Sequence, residues 1–272
     1  MPVTASSAEL ARAVEELGRL DLPDEAARRY FEKHLPRLAR TLTLVPPPRA
    51  GGRILELGCY MQITPFLQLW RGYSSVRGAY YGSLGRTEQR IASIHGEAFE
   101  APVDLFDAER DRYPYDDGSF ETVLACELIE HLLRDPMHLF LESRRILQEG
   151  GRLIVTTPNI ASLTSVARVL HGYGNPQISS AYARKTADDV DEIPHVREYT
   201  AFELRDAVEA AGFQIEALFT EPIAGLEMNA PMWNFLEDNG YNTSLRGEQT
   251  YCVAVKRSDL AVTRYPRFLY SE

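Results

Sequence analysis

The segment Arg53-Ile54-Leu55-Glu56-Leu57-Gly58-Cys59 is an apolar strand that ends in an acidic residue, a spacer and a glycine. Gly58 would let the backbone turn sharply and approach a ligand, because glycine has no Cβ. Glu56 would present a carboxylate to a cationic ligand group, and a following helix would offer free N–H groups. The same pattern also fits a plain strand-to-helix turn, so the segment alone does not assign a function.

On the carboxyl side of this segment, short apolar runs alternate with helical stretches. This alternation predicts an α/β fold with a mainly parallel sheet covered on both faces. The last strand follows a connection without a clear period, which is compatible with an antiparallel orientation. The predicted strands are 53–58, 76–82, 101–106, 121–126, 152–157, 213–219 and 250–256. The predicted helices lie near 62–70, 86–95, 135–148 and 201–211.

Three segments stand outside this alternation. Helical periodicity covers most of residues 1–48, and we expect a helical N-terminal extension there, followed by the main domain at 49–272. Two insertions, about 158–199 and 222–249, are rich in polar residues, Gly or Pro. Loops of this length inside a compact domain are usually functional or disordered. We expect both insertions to cover the carboxyl ends of the strands, where open α/β sheets bind ligands.

Composition limits the classes of function. The chain has 272 residues, a formal net charge of -10 and 44% hydrophobic residues, which allows one large domain or two small ones. The acidic balance argues against a general nucleic-acid binder. The three cysteines have no CxxC spacing, so neither a disulfide framework nor a zinc site is expected. No export signal or run of about 20 apolar residues is present, and we expect a cytoplasmic, bacterial protein without a membrane partner.

Further motifs follow the first segment in a fixed order. They are DAE (107–109), YPYDDGSFE (113–121), TVLACELIEHL (122–132), RILQEGGRLIVTTPN (145–159) and HVREYT (195–200). With this series the chain resembles the class I S-adenosylmethionine-dependent methyltransferases, in particular the group of ubiquinone-biosynthesis O-methyltransferases and many sugar and natural-product methyltransferases. The resemblance covers roughly residues 50–220. It implies a Rossmann-like, doubly wound, seven-stranded sheet, mostly parallel with an antiparallel last strand.

The resemblance also implies S-adenosylmethionine as cofactor and S-adenosylhomocysteine as product. Glu56 and Gly58 would then lie along the methionine part of the cofactor. Asp107 and Ala108 would contact the adenine, with Asp107 accepting from the exocyclic amine; a turn or helix-cap role for Asp107 stays open. Cys126, at the end of the fourth predicted strand, would line the reactive side of the cofactor.

Two departures from the family pattern concern the cofactor subsites. Tyr60 and Gln62 stand where the glycine-rich turn usually has glycines. Tyr60 would either pack at a helix start or lie over the cofactor, since the face of an aromatic ring attracts a sulfonium. The family usually ends its second strand with an acidic residue that clamps both ribose hydroxyls, whereas this chain has Tyr80-Tyr81-Gly82-Ser83. Ser83 could make one hydrogen bond to the ribose, and Glu88 could reach from the predicted helix.

Three residues are candidates for the chemical step. Methyl transfer from a sulfonium is an in-line displacement that mainly needs alignment, and a hydroxyl acceptor gains from a general base. His195 and His131 are the best placed histidines, and Glu127 also lines the reactive side of the cofactor in the family. Glu127 and His131 are four residues apart and would share a helix face. A purely local positioning role stays open for each of the three.

No metal site is predicted. The acidic run in the first insertion could bind a cation, but adjacent acids are more typical of a solvated loop. That run consists of Asp188, Asp189, Asp191 and Glu192.

The sequence therefore predicts an S-adenosylmethionine-dependent methyltransferase that O-methylates a sugar or secondary metabolite with general-base assistance. The insertions would form the acceptor pocket and lid. Candidate walls are Tyr173, Tyr182, Met228, Met232 and Trp233. One alternative is a non-catalytic binding or partner protein with the same fold, suggested by the two departures. A nicotinamide-dependent oxidoreductase is disfavoured by the incomplete glycine fingerprint. The expected partner is a small-molecule acceptor; a homodimer is one open oligomeric state.

Overall fold

The computed structural model describes residues 6–49, 52–172, 174–177, 194–223 and 229–271, and these residues form one large sheet with helices on both sides. The strands are β1 (Leu20–Asp21), β2 (Arg53–Leu57), β3 (Ser75–Tyr80), β4 (Arg86–Ile94), β5 (Glu97–Leu105), β6 (Phe120–Cys126), β7 (Leu147–Pro158), β8 (Phe213–Glu221) and β9 (Gln249–Lys256). The helices are α1 (Ser7–Leu17), α2 (Glu25–Leu44), α3 (Thr64–Leu69), α4 (Pro136–Ile146), α5 (Leu163–Leu170), α6 (Ala201–Ala210) and α7 (Ala230–Asp238).

The strand order is β1-β4-β5-β3-β2-β6-β7-β9-β8. Strand β2 is parallel to β3 and β6, and β9 is antiparallel to both of its neighbours, β7 and β8. The predicted α/β fold with a mainly parallel, doubly wound sheet and an antiparallel last strand is confirmed. All seven predicted strands are present, and the central ones, such as β2 and β6, are apolar runs buried within the sheet.

The helix predicted near 86–95 is wrong, because these residues form β4. Strand β4 pairs antiparallel with β5 along its whole length, from Arg86 opposite Leu105 to Ile94 opposite Glu97. His95 and Gly96, which connect the two strands, both have positive φ, at 50° and 82°. This is the backbone that a two-residue hairpin turn requires. With β4 and the two-residue β1 beside it, the sheet has nine strands among the described residues instead of the predicted seven.

The N-terminal extension packs on the sheet. Helix α1 is capped by the side chain of Ser6 and α2 by that of Asp24, each of which accepts from a backbone N–H three residues on. Apolar residues of α1 and α2 share one buried cluster with residues of β2 and β9, among them Ile54 and Tyr251. Burial of this apolar face places α2 against the same sheet as the main domain.

Both insertions contribute a helix, and the two helices contact each other. Leu163 and Ala167 of α5 pack with Met232 and Leu236 of α7, and Trp233 lies partly buried against them. The other candidate walls, Tyr173, Tyr182 and Met228, lie outside the described residues, as do Asp188, Asp189, Asp191 and Glu192. Among the described residues, no helix has the length and apolarity to cross a membrane.

The sheet places its ligand end between β2 and β6. From β2 the chain proceeds outward to β3 and β5, whereas β6 and β7 lie on the other side of β2. Ligands of open α/β sheets bind outside the carboxyl ends of the strands at such a reversal of strand order. The residues that follow β2, β3, β5 and β6 are therefore the candidates for contact with a ligand.

Candidate active site

The turn after β2 contains a buried acidic group. The side chain of Glu56 is only 6% exposed, and the Thr64 hydroxyl donates to its Oε2 at 2.6 Å. Burial raises the pKa of Glu56 to about 7, although the Thr64 hydrogen bond acts in the opposite direction. Gly58 and Met61 have φ of 71° and 63°, so the turn needs glycine at the first position, as predicted, and places a strained methionine at the second.

The same turn is fixed against the neighbouring strands. The Cys59 N–H donates to the Ala79 carbonyl of β3 at 3.0 Å, and Arg90 Nη1 of β4 donates to the Cys59 carbonyl at 2.9 Å. A Cβ at Gly78 would lie 2.6 Å from Cys59 Sγ. The turn thus sits close to the sheet only because residue 78 is glycine. Tyr60 projects from this turn and is 66% exposed.

The two candidate ribose contacts, Ser83 and Glu88, both follow β3 in the chain. Ser83 is exposed in the turn between β3 and β4, and its carbonyl accepts from the Arg86 N–H at 3.3 Å. Glu88 was expected on a helix, but it lies within β4 and forms an ion pair with Arg90 at 3.5 Å. Of these two candidates, Ser83 therefore lies nearer the carboxyl end of β3.

Asp107 and Ala108 follow the carboxyl end of β5 directly. Asp107 Oδ1 accepts from the Glu109 N–H at 2.9 Å, and the Asp107 N–H donates to Asp111 Oδ2 at 2.8 Å. The Ala108 carbonyl accepts from the Tyr113 hydroxyl at 3.0 Å. The side chain of Asp107 thus closes a local turn at the strand end, and Oδ2 lies beside Arg110 at 3.7 Å.

Glu127, directly after β6, joins the N-terminal extension to the sheet. Arg37 Nη1 of α2 lies 2.7 Å from Glu127 Oε2. Thr156 Oγ1 and Gln249 Nε2 donate to Oε1 at 2.8 and 2.7 Å. Burial raises the pKa of the Cys126 thiol to about 12, so Cys126 next to it remains protonated. Arg37 and Gln249 are functional candidates that the sequence analysis missed.

The shared helix face expected for Glu127 and His131 is wrong. Glu127 has φ of 49°, and the following residues form only a short 3₁₀ turn, Ile129–His131. A left-handed residue ends helical periodicity, so the side chain of Glu127 faces Arg37. His131 instead lies against His195, with ring centroids 4.8 Å apart and the planes nearly perpendicular.

Two further carboxylates complete a cluster with the histidines. His195 Nδ1 lies 2.8 Å from Oε1 of Glu198, whose side chain is fully buried. A carboxylate at Nδ1 fixes the tautomer that leaves the Nε2 lone pair available. Glu130 is also buried and accepts from the Thr157 hydroxyl at 2.9 Å. The pKa of Glu130 is raised to about 7 by burial.

The cluster can act as a proton acceptor or as a cation site. Ligand atoms of Glu130, His131 and His195 lie within 4.8 Å of one another. Glu130 Oε1 is buried without a hydrogen-bond partner among the described residues. Two imidazoles and one carboxylate are a common ligand set for divalent transition metals, and a histidine backed by a carboxylate also serves as a general base.

Comparisons with known proteins agree on one family. A profile described as "Methyltransferase domain" matches residues 25–218. The chain is 26% identical over 192 residues to a 27-O-demethylrifamycin SV methyltransferase of Amycolatopsis mediterranei, covering 65% of this chain and 68% of the relative. It is 26% identical over 213 residues to a probable S-adenosylmethionine-dependent methyltransferase of Mycolicibacterium smegmatis, covering 76% and 68%. The fold is similar to a SAM-dependent methyltransferase from Archaeoglobus fulgidus, with a TM-score of 0.53, 16% identity and coverage of 86% and 100%.

Proposed function

The chain belongs to the methyltransferase domain family, within the class I S-adenosylmethionine-dependent methyltransferases, and we propose that it methylates a hydroxyl of a sugar or secondary metabolite. The single observation that carries the hydroxyl assignment is the His195–Glu198 pair, with Nδ1 and Oε1 2.8 Å apart, beside the carboxyl end of β6. A hydroxyl must lose its proton during methylation, and a carboxylate-backed imidazole is suited to accept it. The rifamycin relative, whose name specifies an O-demethylated compound, supports the same acceptor class.

The residues around β2 and β5 fit the cofactor. Glu56 is a buried carboxylate that accepts a hydrogen bond from the neutral hydroxyl of Thr64. The ammonium group of the methionine part would supply a positive charge to pair with it. Gly58 would allow close approach of this part, and Tyr60, on the same turn, would contact the cofactor. Asp107 and Ala108 would bind the adenine at the end of β5.

Ser83 would contact the ribose from the turn after β3. Cys126, protonated at the end of β6, would line the reactive side. These assignments follow the resemblance in the motif series and the position of each residue at a strand end.

In the proposed mechanism, bound S-adenosylmethionine supplies an electrophilic methyl group. His195 Nε2 would accept the proton that the acceptor hydroxyl loses when it is methylated. Glu198 holds the imidazole ring and stabilises its positive charge. Glu127 and His131 would orient the acceptor molecule, and the insertions that contain α5 and α7 would exclude water from the site.

One observation favours a second mechanism: Glu130 Oε1 is buried and has no hydrogen-bond partner among the residues that the structure describes. A divalent cation held by Glu130, His131 and His195 would bind the acceptor oxygen and lower the pKa of its hydroxyl. Calorimetric titration of chelator-treated protein with Mg²⁺, Mn²⁺ or Co²⁺ tests this alternative. Binding that is lost in Glu130→Gln favours the cation, and no binding at millimolar concentration favours the base.

The experiment that tests the function has two stages. Calorimetric titration with S-adenosylmethionine and S-adenosylhomocysteine should show binding; its absence at millimolar ligand would refute the enzyme assignment and favour a non-catalytic binding protein. Methyl-labelled cofactor is then offered with a panel of glycosides and polyketide phenols. His195→Ala should lower the rate of label transfer by about 100-fold with little change in cofactor affinity, whereas His95→Asn, at an exposed hairpin turn, should lower neither.

A further inference from the structure

Tyr80 stands in the segment where the resemblance to the class I methyltransferases leads us to expect an acidic ribose clamp. It is the last residue of β3, and β3 is the strand next to β2 on the cofactor side of the sheet. Residues 80–83 contain no carboxylate, and Glu88 is turned toward Arg90 on β4. The strand end therefore offers a phenol where the family pattern has a charged carboxyl group.

A second phenol meets the first across the turn that follows β2. The Tyr80 hydroxyl donates to the Tyr60 hydroxyl at 3.3 Å. The two rings are in edge contact, with centroids 5.5 Å apart and an interplanar angle of 86°. Because Tyr60 is 66% exposed, this pair lies at the protein surface and is not packed in the core. Each phenol oxygen can accept and donate a hydrogen bond.

Arg90 holds this pair in place. Its guanidinium lies over the face of the Tyr80 ring, 4.3 Å from the centroid, and donates to the Cys59 carbonyl at 2.9 Å. One side chain of β4 thus fixes both the ring at the end of β3 and the turn that carries Tyr60. Arg90 lies in β4, which forms a hairpin with β5 where a helix was predicted. The position of the two tyrosines therefore depends on this hairpin.

We propose that Tyr60 and Tyr80 together bind the two ribose hydroxyls of the cofactor in place of the acidic residue. The two adjacent phenol oxygens match a ligand with two neighbouring hydroxyls, and each ribose hydroxyl can exchange a hydrogen bond with one phenol. Neutral hydrogen bonds are weaker than those to a carboxylate. The ribose hydroxyls therefore contribute less to affinity here than in a site with an acidic clamp. This inference rests on the proposed function, since it takes the cofactor as the ligand.

The test is a calorimetric titration with S-adenosylhomocysteine and with analogues that lack the 2′ or the 3′ hydroxyl. Wild-type protein is compared with Tyr60→Phe, Tyr80→Phe and the double variant. Each single substitution should weaken S-adenosylhomocysteine binding by about fivefold. The losses should shrink with the deoxy analogues, because the bond is already absent. Tyr81→Phe, at the neighbouring residue, which is 70% exposed, is the matched control and should bind like wild type.

The outcomes separate this inference from the function on which it rests. Wild-type protein that fails to bind S-adenosylhomocysteine overturns the cofactor and the ribose assignment together. Binding that is equally tight in the double variant overturns only the ribose assignment. The same conclusion follows if wild-type protein binds the deoxy analogues as tightly as S-adenosylhomocysteine, a comparison that needs no variant to fold. Phenylalanine retains the ring beneath Arg90, and thermal unfolding of each variant checks that the turn is intact.

Discussion

Glu56→Gln is expected to remove a pH dependence from cofactor binding. Burial raises the pKa of Glu56 from its usual 4.5 to about 7, and only the ionised form pairs with the ammonium group of the ligand. About one-tenth of the carboxyl groups are ionised at pH 6 and about nine-tenths at pH 8. Wild-type affinity for S-adenosylhomocysteine should therefore rise about tenfold between these pH values, and binding near pH 6.5 should release a proton.

The assay is isothermal calorimetry at pH 6, 7 and 8 in two buffers of different ionisation enthalpy, which measures the proton release directly. Glu130→Gln is the matched control, because burial raises the pKa of Glu130 to about 7 as well. Glu130 lies in the histidine cluster and not beside the turn that follows β2. The control should retain the tenfold rise. An equal rise in Glu56→Gln and wild type would refute the assignment of Glu56 to the ammonium group.

The stability of the ligand-free protein should change with pH in the opposite direction. The folded state holds the Glu56 proton up to about pH 7, whereas the unfolded state releases it near 4.5. Between these values the unfolded state binds fewer protons, so the free energy of unfolding falls as pH rises through this window. The loss is about 3 kcal/mol for this single group. Urea unfolding at pH 4.5 and 7.5 should show a smaller loss in Glu56→Gln than in wild type.

Three other substitutions test separate parts of the site. Asp107→Ala should weaken S-adenosylhomocysteine binding at least about tenfold; unchanged calorimetric affinity would contradict the adenine assignment. Arg37→Ala leaves the partly buried Glu127 without its positively charged partner. The free energy of unfolding in urea should fall by about 2 kcal/mol, a value between those for exposed and buried ion pairs. A loss below about 0.5 kcal/mol would mean that the pair contributes no more than a surface ion pair. Gly78→Ala forces a Cβ to 2.6 Å from Cys59 Sγ, so the turn must move and cofactor affinity should fall; wild-type affinity and melting temperature together would refute this.

The sequence predicted the strands that are short, largely apolar runs, and the central ones among them are buried on both faces. The run at 121–126, for example, is almost entirely buried in β6, and its apolar character reflects that position. Strand β4 was missed because it lies near the sheet edge, where alternate residues such as Glu88 and Arg90 are polar and partly exposed. Its polar pattern resembles that of a solvated helix, and the only local signal for a hairpin was His95-Gly96.

The site was predictable where it depends on neighbouring residues. The turn at Gly58 follows from one strand and one glycine, and its positive φ is a local requirement. The partners of Glu127 were not predictable, because Arg37 comes from the N-terminal extension and Gln249 from the last strand. No spacing in the sequence relates these segments, and only the sheet order brings them to one carboxylate.

The histidine cluster depends on a backbone link between two distant segments. The N–H groups of Val196 and Arg197 donate to the Glu130 carbonyl at 2.7 and 3.2 Å. This link places His195, at the exit of the first insertion, directly beside His131. Since Nδ1 of His195 is already held by Glu198, loss of the link would separate the imidazole and its carboxylate partner from the end of β6 as one unit. The 3₁₀ turn at Ile129–His131, which carries the Glu130 carbonyl, therefore determines where His195 lies relative to the end of β6.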